Sequence, residues 1–171
     1  MPALLVRDVM ERDVVTLRVD ETLTSAAEKF SAQKVSGAPV VDEEGRLVGL
    51  LSEQDILKCL KTTQRQVRMV YPSISALGVA FQEYTTVREL KEAYADIAHL
   101  RVGEAMTTDL FKLAPDVSLA EAIQIFIQHR INRIPIVDGG RLVGVLTRGN
   151  VIRELIGRET GEVSPEKRPG S

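Results

Sequence analysis

Apolar residues recur at helical spacing in two stretches of this chain, and the two stretches match. Leu23, Ala26, Ala27 and Phe30 fall at i, i+3, i+4 and i+7, the spacing that lines one buried helical face, and Leu119, Ala122, Ile123 and Phe126 repeat it. Thr22 and Ser118 stand where a helix N-cap is needed, and Glu121, three residues after Ser118, completes a capping box. Ahead of each helix lies a short run with β-branched or aromatic residues, Val14 to Val19 and Leu110 to Leu113, read as strands. Two more strands follow in each stretch, Ala38 to Val41 with Leu47 to Leu51, and Ile134 to Val137 with Leu142 to Leu146, each pair divided by a Gly-containing turn. A second helix starts at Ser52 and at Thr147, with Ile56, Leu57 and Leu60 on a face of the first and Val151, Ile152 and Leu155 on that of the second. The predicted unit is β-α-β-β-α.

The two units are copies. At a constant offset of 96, Val6 matches Val102, and the identity recurs at Met10/Met106, Leu17/Leu113, Phe30/Phe126, Pro39/Pro135 and Asp42/Asp138. One residue is lost where Glu43-Glu44-Gly45 becomes Gly139-Gly140, inside a turn, where length change is tolerated. Gly45, Arg46, Leu47, Val48 and Gly49 then match Gly140, Arg141, Leu142, Val143 and Gly144. A three-stranded unit of about 50 residues is marginal alone. The expected architecture is therefore α/β (α+β), two repeats packed sheet to sheet with pseudo-two-fold symmetry over one shared core. Repeat 1 covers 5–60, a helical insert or linker 61–100, repeat 2 101–156, and a flexible tail 157–171. A cleft between such halves is a natural ligand site, so chemistry is sought where the copies differ.

Within the insert, Thr86-Val87-Arg88-Glu89 is a capping box ahead of Leu90, Tyr94, Ile97 and Ala98, which predicts a helix from Val87 to His99. Gln64 to Val70 extends the preceding helix until Pro72 stops it. Ile74 to Phe81 is apolar without a clear period, and either packing against the repeats or a dimer or partner surface accounts for it.

Composition narrows the class. With 44% hydrophobic and 27% charged residues the chain is globular rather than disordered. No apolar run approaches the roughly 18 to 20 residues of a membrane span, and the residues from Met1 to Asp8 are not those of a signal peptide. Cys59 is the single cysteine, which allows no intramolecular disulfide and fits a reducing cytoplasm. A net charge of −2 gives no general drive toward nucleic acid or anionic lipid. The only histidines are His99 and His129, and no Gly-x-Ser-x-Gly elbow, Walker loop or His/Cys metal cluster is present. Asp8, Glu11, Asp13, Asp20, Asp42 and Glu43 fall at turns and helix starts, where solvation or capping explains them. A binding protein is expected, not an enzyme, with no obligatory cofactor or metal.

Three signals in the same order occur twice: Val-x-Asp/Glu-x-Met at the head of each copy, the Pro-Val-Val-Asp or Pro-Ile-Val-Asp strand, and Gly49 to Asp55 matched by Gly144 to Asn150. Together they resemble the CBS domain, named after cystathionine β-synthase, over about residues 5–60 and 101–156. The resemblance implies a tandem pair of the free-standing regulatory type that binds an adenosine nucleotide (AMP, ADP or ATP, with S-adenosylmethionine as an option) and forms a homodimer.

In that family the Gly-x-x-Ser/Thr-x-x-Asp segment grips ribose, which points to Ser52 and Asp55. A carboxylate accepts from both ribose hydroxyls, but Ser-x-x-Asp at a helix start is also a capping-box variant with no ligand. The resemblance further implies a phosphate contact at Arg133, with Arg148 beyond Thr147 as a second cation, because a guanidinium fork matches phosphate oxygens. Adenine is expected near Val35, Ala38, Pro39 and Val40, with Thr16 as a polar contact. In the second copy Asn150 replaces the acid, and an amide offers one acceptor oxygen where a carboxylate offers two. A site on Lys112, Ile131, Ile134, Pro135, Thr147 and Asn150 is therefore expected to be weaker. The copies divide the work, Asp55 for ribose and Arg133 for phosphate, which favours one shared site.

The expected function is a cytoplasmic adenosine-nucleotide sensor that modulates a protein partner or its own assembly. A ligand-free interaction or dimerisation scaffold with a degenerate site is the alternative. A nucleic-acid surface made of Lys61, Arg65, Arg68 and Arg88 is disfavoured by the lack of interleaved aromatics.

Overall fold

The computed structural model describes residues 3–60 and 87–160. In chain order the elements are α1 (Val6–Val9), β1 (Leu17–Arg18), α2 (Leu23–Gln33), β2 (Gly37–Val41), β3 (Leu47–Ser52), α3 (described over 53–60) and α4 (Val87–Ala98). Then follow α5 (Val102–Ala105), α6 (Leu119–His129), β4 (Arg133–Asp138), β5 (Arg141–Thr147) and α7 (Arg148–Thr160). Gln64 to Val70, the apolar run from Ile74 to Phe81 and the tail beyond 160 lie outside the described residues, as do the side chains of Lys61, Arg65, Arg68 and Arg88. The tandem, mixed α/β character read from the sequence is what the chain adopts.

The chain divides into two compact units: Val15–Leu110, called here the Asp55 unit, and Met1–Val14 with Phe111–Ser171, the Asn150 unit. The head of each repeat therefore belongs to the unit built around the other repeat's body.

In the Asp55 unit the sheet order is β1-β2-β3, with β1 parallel and β3 antiparallel to β2. Leu17 stands opposite Val40, and Ala38 opposite Leu51. Leu17, Leu23, Ala26, Phe30, Ala38, Val40, Leu51 and Ile56 form its core, joined by Ile97 of α4 and Val102 of α5. The Asn150 unit repeats this with β4 antiparallel to β5, and its core holds Leu119, Ala122, Phe126, Ile134, Ile136, Leu146 and Val151, joined by Val6 and Met10 of the head. Both hairpins shift register at the matching place, between Val40 and Val41 and between Ile136 and Val137. Thr22 and Ser118 cap α2 and α6, accepting from Ser25 N and Glu121 N.

The expected first strand of each copy is shorter than its composition suggests. Val14 to Val19 yields only Leu17–Arg18, and Leu110 to Leu113 yields a single parallel bridge from Leu113 to Ile136. In the first copy the Arg18 N–H is taken by Glu21 Oε1 at 2.9 Å, and the chain turns. In the second, Ala114 O accepts from Val117 N, and Pro115 has no N–H to offer a ladder. The two short helices α1 and α5 were not among the predicted elements, since four residues carry too little periodicity to read.

Those short helices explain the repeated Val-x-Asp/Glu-x-Met head. The acid caps its own turn: Leu5 N donates to Asp8 Oδ2 at 3.0 Å, and Arg101 N to Glu104 Oε2 at 2.8 Å. The valine enters the core of its unit, and the methionine packs on a glycine of the neighbouring strand. A Cβ on Gly49 would stand 2.5 Å from Met106 Sδ, and one on Gly144 would stand 2.7 Å from both Met10 Sδ and Glu11 O. Glycine is required because the head approaches the strand this closely.

Candidate functional site

β3 runs directly into α3 at Ser52, so the first helical turn has backbone donors in need of partners. Ser52 N and Ser52 Oγ both donate to Asp55 Oδ2 at 2.9 Å, and Asp55 N donates back to Ser52 Oγ at 3.4 Å. The other carboxylate oxygen, Oδ1, accepts from Thr107 Oγ1 at 3.3 Å and lies 3.6 Å from Lys58 Nζ. Asp55 is only 7% exposed, and a buried carboxylate needs such donors. Lys58 is mostly exposed, so its ion pair adds little, and the neutral donors do most of the holding. Thr107 is placed by a two-way backbone bridge with Leu50, 2.9 Å in each direction.

The equivalent turn of the Asn150 unit has the same geometry with an amide. Thr147 N and Thr147 Oγ1 donate to Asn150 Oδ1 at 2.9 and 2.6 Å, and Asn150 N donates to Thr147 Oγ1 at 3.1 Å. Arg133 pairs with Thr147 across the β4–β5 ladder, where Gly37 pairs with Ser52 in the other unit. Arg148 N donates to Asn132 O at 3.3 Å, and its Nε to Ile131 O at 2.7 Å, so this cation is tied to the start of β4. Ile131, Arg133, Thr147, Arg148 and Asn150 are thus one cluster, and Ile134 and Pro135 of β4 are buried. Lys112 is exposed on the segment before Leu113.

Of the residues expected around adenine, Ala38 and Val40 are core, 1% and 0% exposed, while Pro39 points to the opposite face of β2. Val35 packs against that core from the loop after α2, and Thr16 precedes β1, half-buried. The Asp55 unit holds Thr16, Val35, Pro39, Ser52 and Asp55, and the Asn150 unit holds Arg133 and Arg148.

Two partners of Asp55 were not read from the sequence, Thr107 and Lys58. Thr107 directly follows the second head's methionine, so the repeat gave its position but not the body on which that head docks. Lys58 lies one helical turn after Asp55, a spacing that does carry the signal.

Elsewhere, burial and then the neighbouring Asp55 carboxylate push the Cys59 thiol up from its usual range, which favours the thiol over the thiolate. Glu21 behaves in the opposite sense. Burial opposes its ionisation, but Lys29 at 2.8 Å, Arg18 N and Ser25 Oγ outweigh that and hold its carboxyl below the usual range. His129 stacks on Phe111 with ring centroids 4.1 Å apart. Among the described residues no group of three His, Cys, Asp or Glu is placed to hold a metal ion, and no helix is long and apolar enough to cross a membrane.

A family model described as the CBS domain matches twice, at residues 6–62 and 102–157. Protein MJ1426 of Methanocaldococcus jannaschii is 30% identical over 155 residues, covering 90% of this chain and 92% of its own. The chloroplastic CBS domain-containing protein CBSX2 of Arabidopsis thaliana is 31% identical over 147 residues, 83% of this chain; the match spans 58% of the plant protein. A crystal structure of CBSX2 in complex with AMP superposes with a TM-score of 0.67 at 25% identity, covering 91% of this chain and 98% of that one. The CBS-domain pair of MJ0100, solved with 5′-methylthioadenosine and S-adenosyl-L-methionine, shares the fold with a TM-score of 0.66 at 21% identity, covering 92% and 99%.

Proposed function

The chain belongs to the CBS-domain family as a tandem pair, and on that premise we propose that it is a non-catalytic regulatory module that binds an adenosine nucleotide, with Asp55 as the ribose acceptor. The observation that carries this reading is the state of the Asp55 carboxylate. It is buried and pinned by Ser52 on one oxygen, while on the other its partners among the described residues are a 3.3 Å hydroxyl contact and an exposed lysine. Ribose hydroxyls are donors that such an oxygen can accept. The AMP bound to CBSX2 supports the ligand class. AMP is the first choice, with ADP, ATP and S-adenosylmethionine as alternatives. Within the Asn150 unit, Arg133 and Arg148 are proposed as contacts for a phosphate, because a guanidinium matches phosphate oxygens in pairs.

The test is calorimetric titration of AMP, ADP, ATP and S-adenosylmethionine into wild type, Asp55→Ala and Arg133→Ala. Asp55→Ala is expected to weaken every adenosine ligand, and Arg133→Ala chiefly the phosphorylated ones. Binding unchanged in both variants contradicts the assignment.

A homodimer is part of the same proposal. Leu57 of α3 and Ile152 of α7, equivalent in the repeat, are 56% and 55% exposed, and Leu155 and Ile156 extend the stripe on α7. A two-fold dimer requires one patch that meets itself, and the exposed apolar stripe on α7 meets that need. The scaffold alternative keeps this face and lacks the ligand. It predicts a dimer whose melting temperature no adenosine compound shifts.

A further inference from the structure

The two oxygens of the Asp55 carboxylate are held unequally. Oδ2 takes two donors from Ser52 at 2.9 Å, and a carboxylate oxygen has about two acceptor positions, so the helix cap fills it. Oδ1 is the oxygen that a ligand has to use. There it meets the Thr107 hydroxyl, whose bond is the longer one at 3.3 Å, and Lys58 Nζ at 3.6 Å, an exposed group in competition with water. Thr107 is itself exposed, although Asp55 is buried. The second oxygen of a buried carboxylate is thus covered by a residue that solvent reaches.

Docking of the head does not require that hydroxyl. Thr107 is fixed by its main chain, through the two-way bridge to Leu50 at 2.9 Å in each direction. Glu11, the corresponding residue of the other head at the offset of 96, makes the same bridge to Val145, again 2.9 Å each way, with no hydroxyl at all. The side chain at this position is therefore independent of the docking. Rotation about the Cα–Cβ bond of Thr107 carries the hydroxyl off Oδ1 while the bridge stays made. What the hydroxyl does in the free chain is satisfy a buried acceptor, which is costly to leave unpaired.

We propose that the Thr107 hydroxyl is a built-in placeholder for a ribose hydroxyl: it donates to Asp55 Oδ1 in the free chain and swings away when a nucleotide binds. Both donors are neutral hydroxyls, so binding exchanges one hydrogen bond for another of the same kind. The exchange holds affinity below what an open carboxylate would give, and it keeps the carboxylate paired when no ligand is present. Thr107 is on this account a positioning residue that sets affinity through Asp55. The proposal rests on the reading of Asp55 as the ribose acceptor and adds to it what the ligand displaces.

The experiment is calorimetric titration of AMP and of 2′,3′-dideoxyadenosine monophosphate into wild type, Thr107→Val, Thr107→Ser and Asp55→Asn, with a thermal melt of each free protein. Thr107→Val keeps the branched shape and removes the hydroxyl. Without ligand it should melt about 2–4 °C below wild type. It should nevertheless bind AMP about two- to tenfold more tightly, the range of one neutral hydrogen bond. Thr107→Ser keeps the hydroxyl and should match wild type in both respects. The dideoxy compound has no ribose hydroxyl to take the vacated position, so Thr107→Val should not tighten its binding. A structural role alone lowers stability without raising affinity. If Thr107→Val binds AMP no more tightly than wild type while Asp55→Asn loses it, the placeholder is overturned and the Asp55 reading stands. Equal tightening toward the dideoxy compound, or an unchanged melting temperature in Thr107→Val, overturns it as well. AMP bound alike by wild type and Asp55→Asn, or not bound by wild type, overturns both readings.

Discussion

Asp55 and Asn150 cap their helices with the same bonds to different head groups. The molecule thus contains its own control for separating capping from ligand binding. Asp55→Asn should keep the cap and leave denaturant stability close to wild type, whereas Asp55→Ala should cost about 1 kcal/mol, the usual loss for a removed cap. Equal destabilisation by both substitutions in urea titrations would show that the charge, and not the cap, stabilises this turn. Glu21 offers a second test at this scale. Its carboxyl is held below the ordinary value by Lys29, Arg18 N–H and Ser25 despite burial. A depressed folded pKa contributes stability that is present above the unfolded carboxylate value and is lost as pH falls through the folded one. Glu21→Gln should therefore be less stable than wild type at neutral pH, and the gap should close as the solution is acidified through the carboxylate range. A gap that is constant with pH would mean that the side chain acts by packing alone.

Among elements, the helices and hairpins were legible because each carries a repeated apolar period with a cap or a turn residue at its boundary. Thr22, Ser118 and the Gly45 turn are particular instances, and Gly45 takes φ +78°, where a side chain would be strained. The first strands were overread. Valine-rich composition at Val14 and Val15 cannot reveal that Glu21 will take the Arg18 N–H, nor that the chain leaves for the other unit at that point. The short head helices were invisible for a related reason. Their methionine is explained by contact with a glycine about 57 residues away in the first unit and about 134 in the second, which no local window contains. That docking predicts an order of damage. Gly144→Ala would bring Cβ to 2.7 Å from the Glu11 backbone oxygen, while in Gly49→Ala the shortest contact, 2.5 Å, is with the flexible Met106 Sδ and the backbone oxygen of Thr107 stands at 3.1 Å. Both should destabilise by about 1–3 kcal/mol, Gly144→Ala more, because a methionine can swing and a bridged backbone cannot. Thermal melts that rank them the other way would contradict this account of head docking.

For the molecule as a whole, the duplication was the most readable feature and also the most easily misread. It correctly gave two similar α/β units, and it gave Ser52, Asp55, Thr147 and Asn150 at the same turn of each. It did not give the exchange of heads, and with that it missed Thr107 as a partner of Asp55. Self-association is tested at this scale too. Ile152→Glu places a charge in the exposed α7 stripe and should shift sedimentation from dimer to monomer without altering the melting temperature of the fold. An unchanged mass would remove this face from consideration. A ligand that binds the folded chain should also stabilise it, by about 2.7 kcal/mol at 100 times its dissociation constant. The central claim, that Asp55 holds the ribose of an adenosine nucleotide, is tested most directly by the affinity of AMP for Asp55→Asn at the site that depends on this residue. The account predicts binding about tenfold or more weaker with the fold's stability preserved, as expected for loss of a charged acceptor. Wild-type affinity in a variant that keeps the cap and lacks the charge would contradict it.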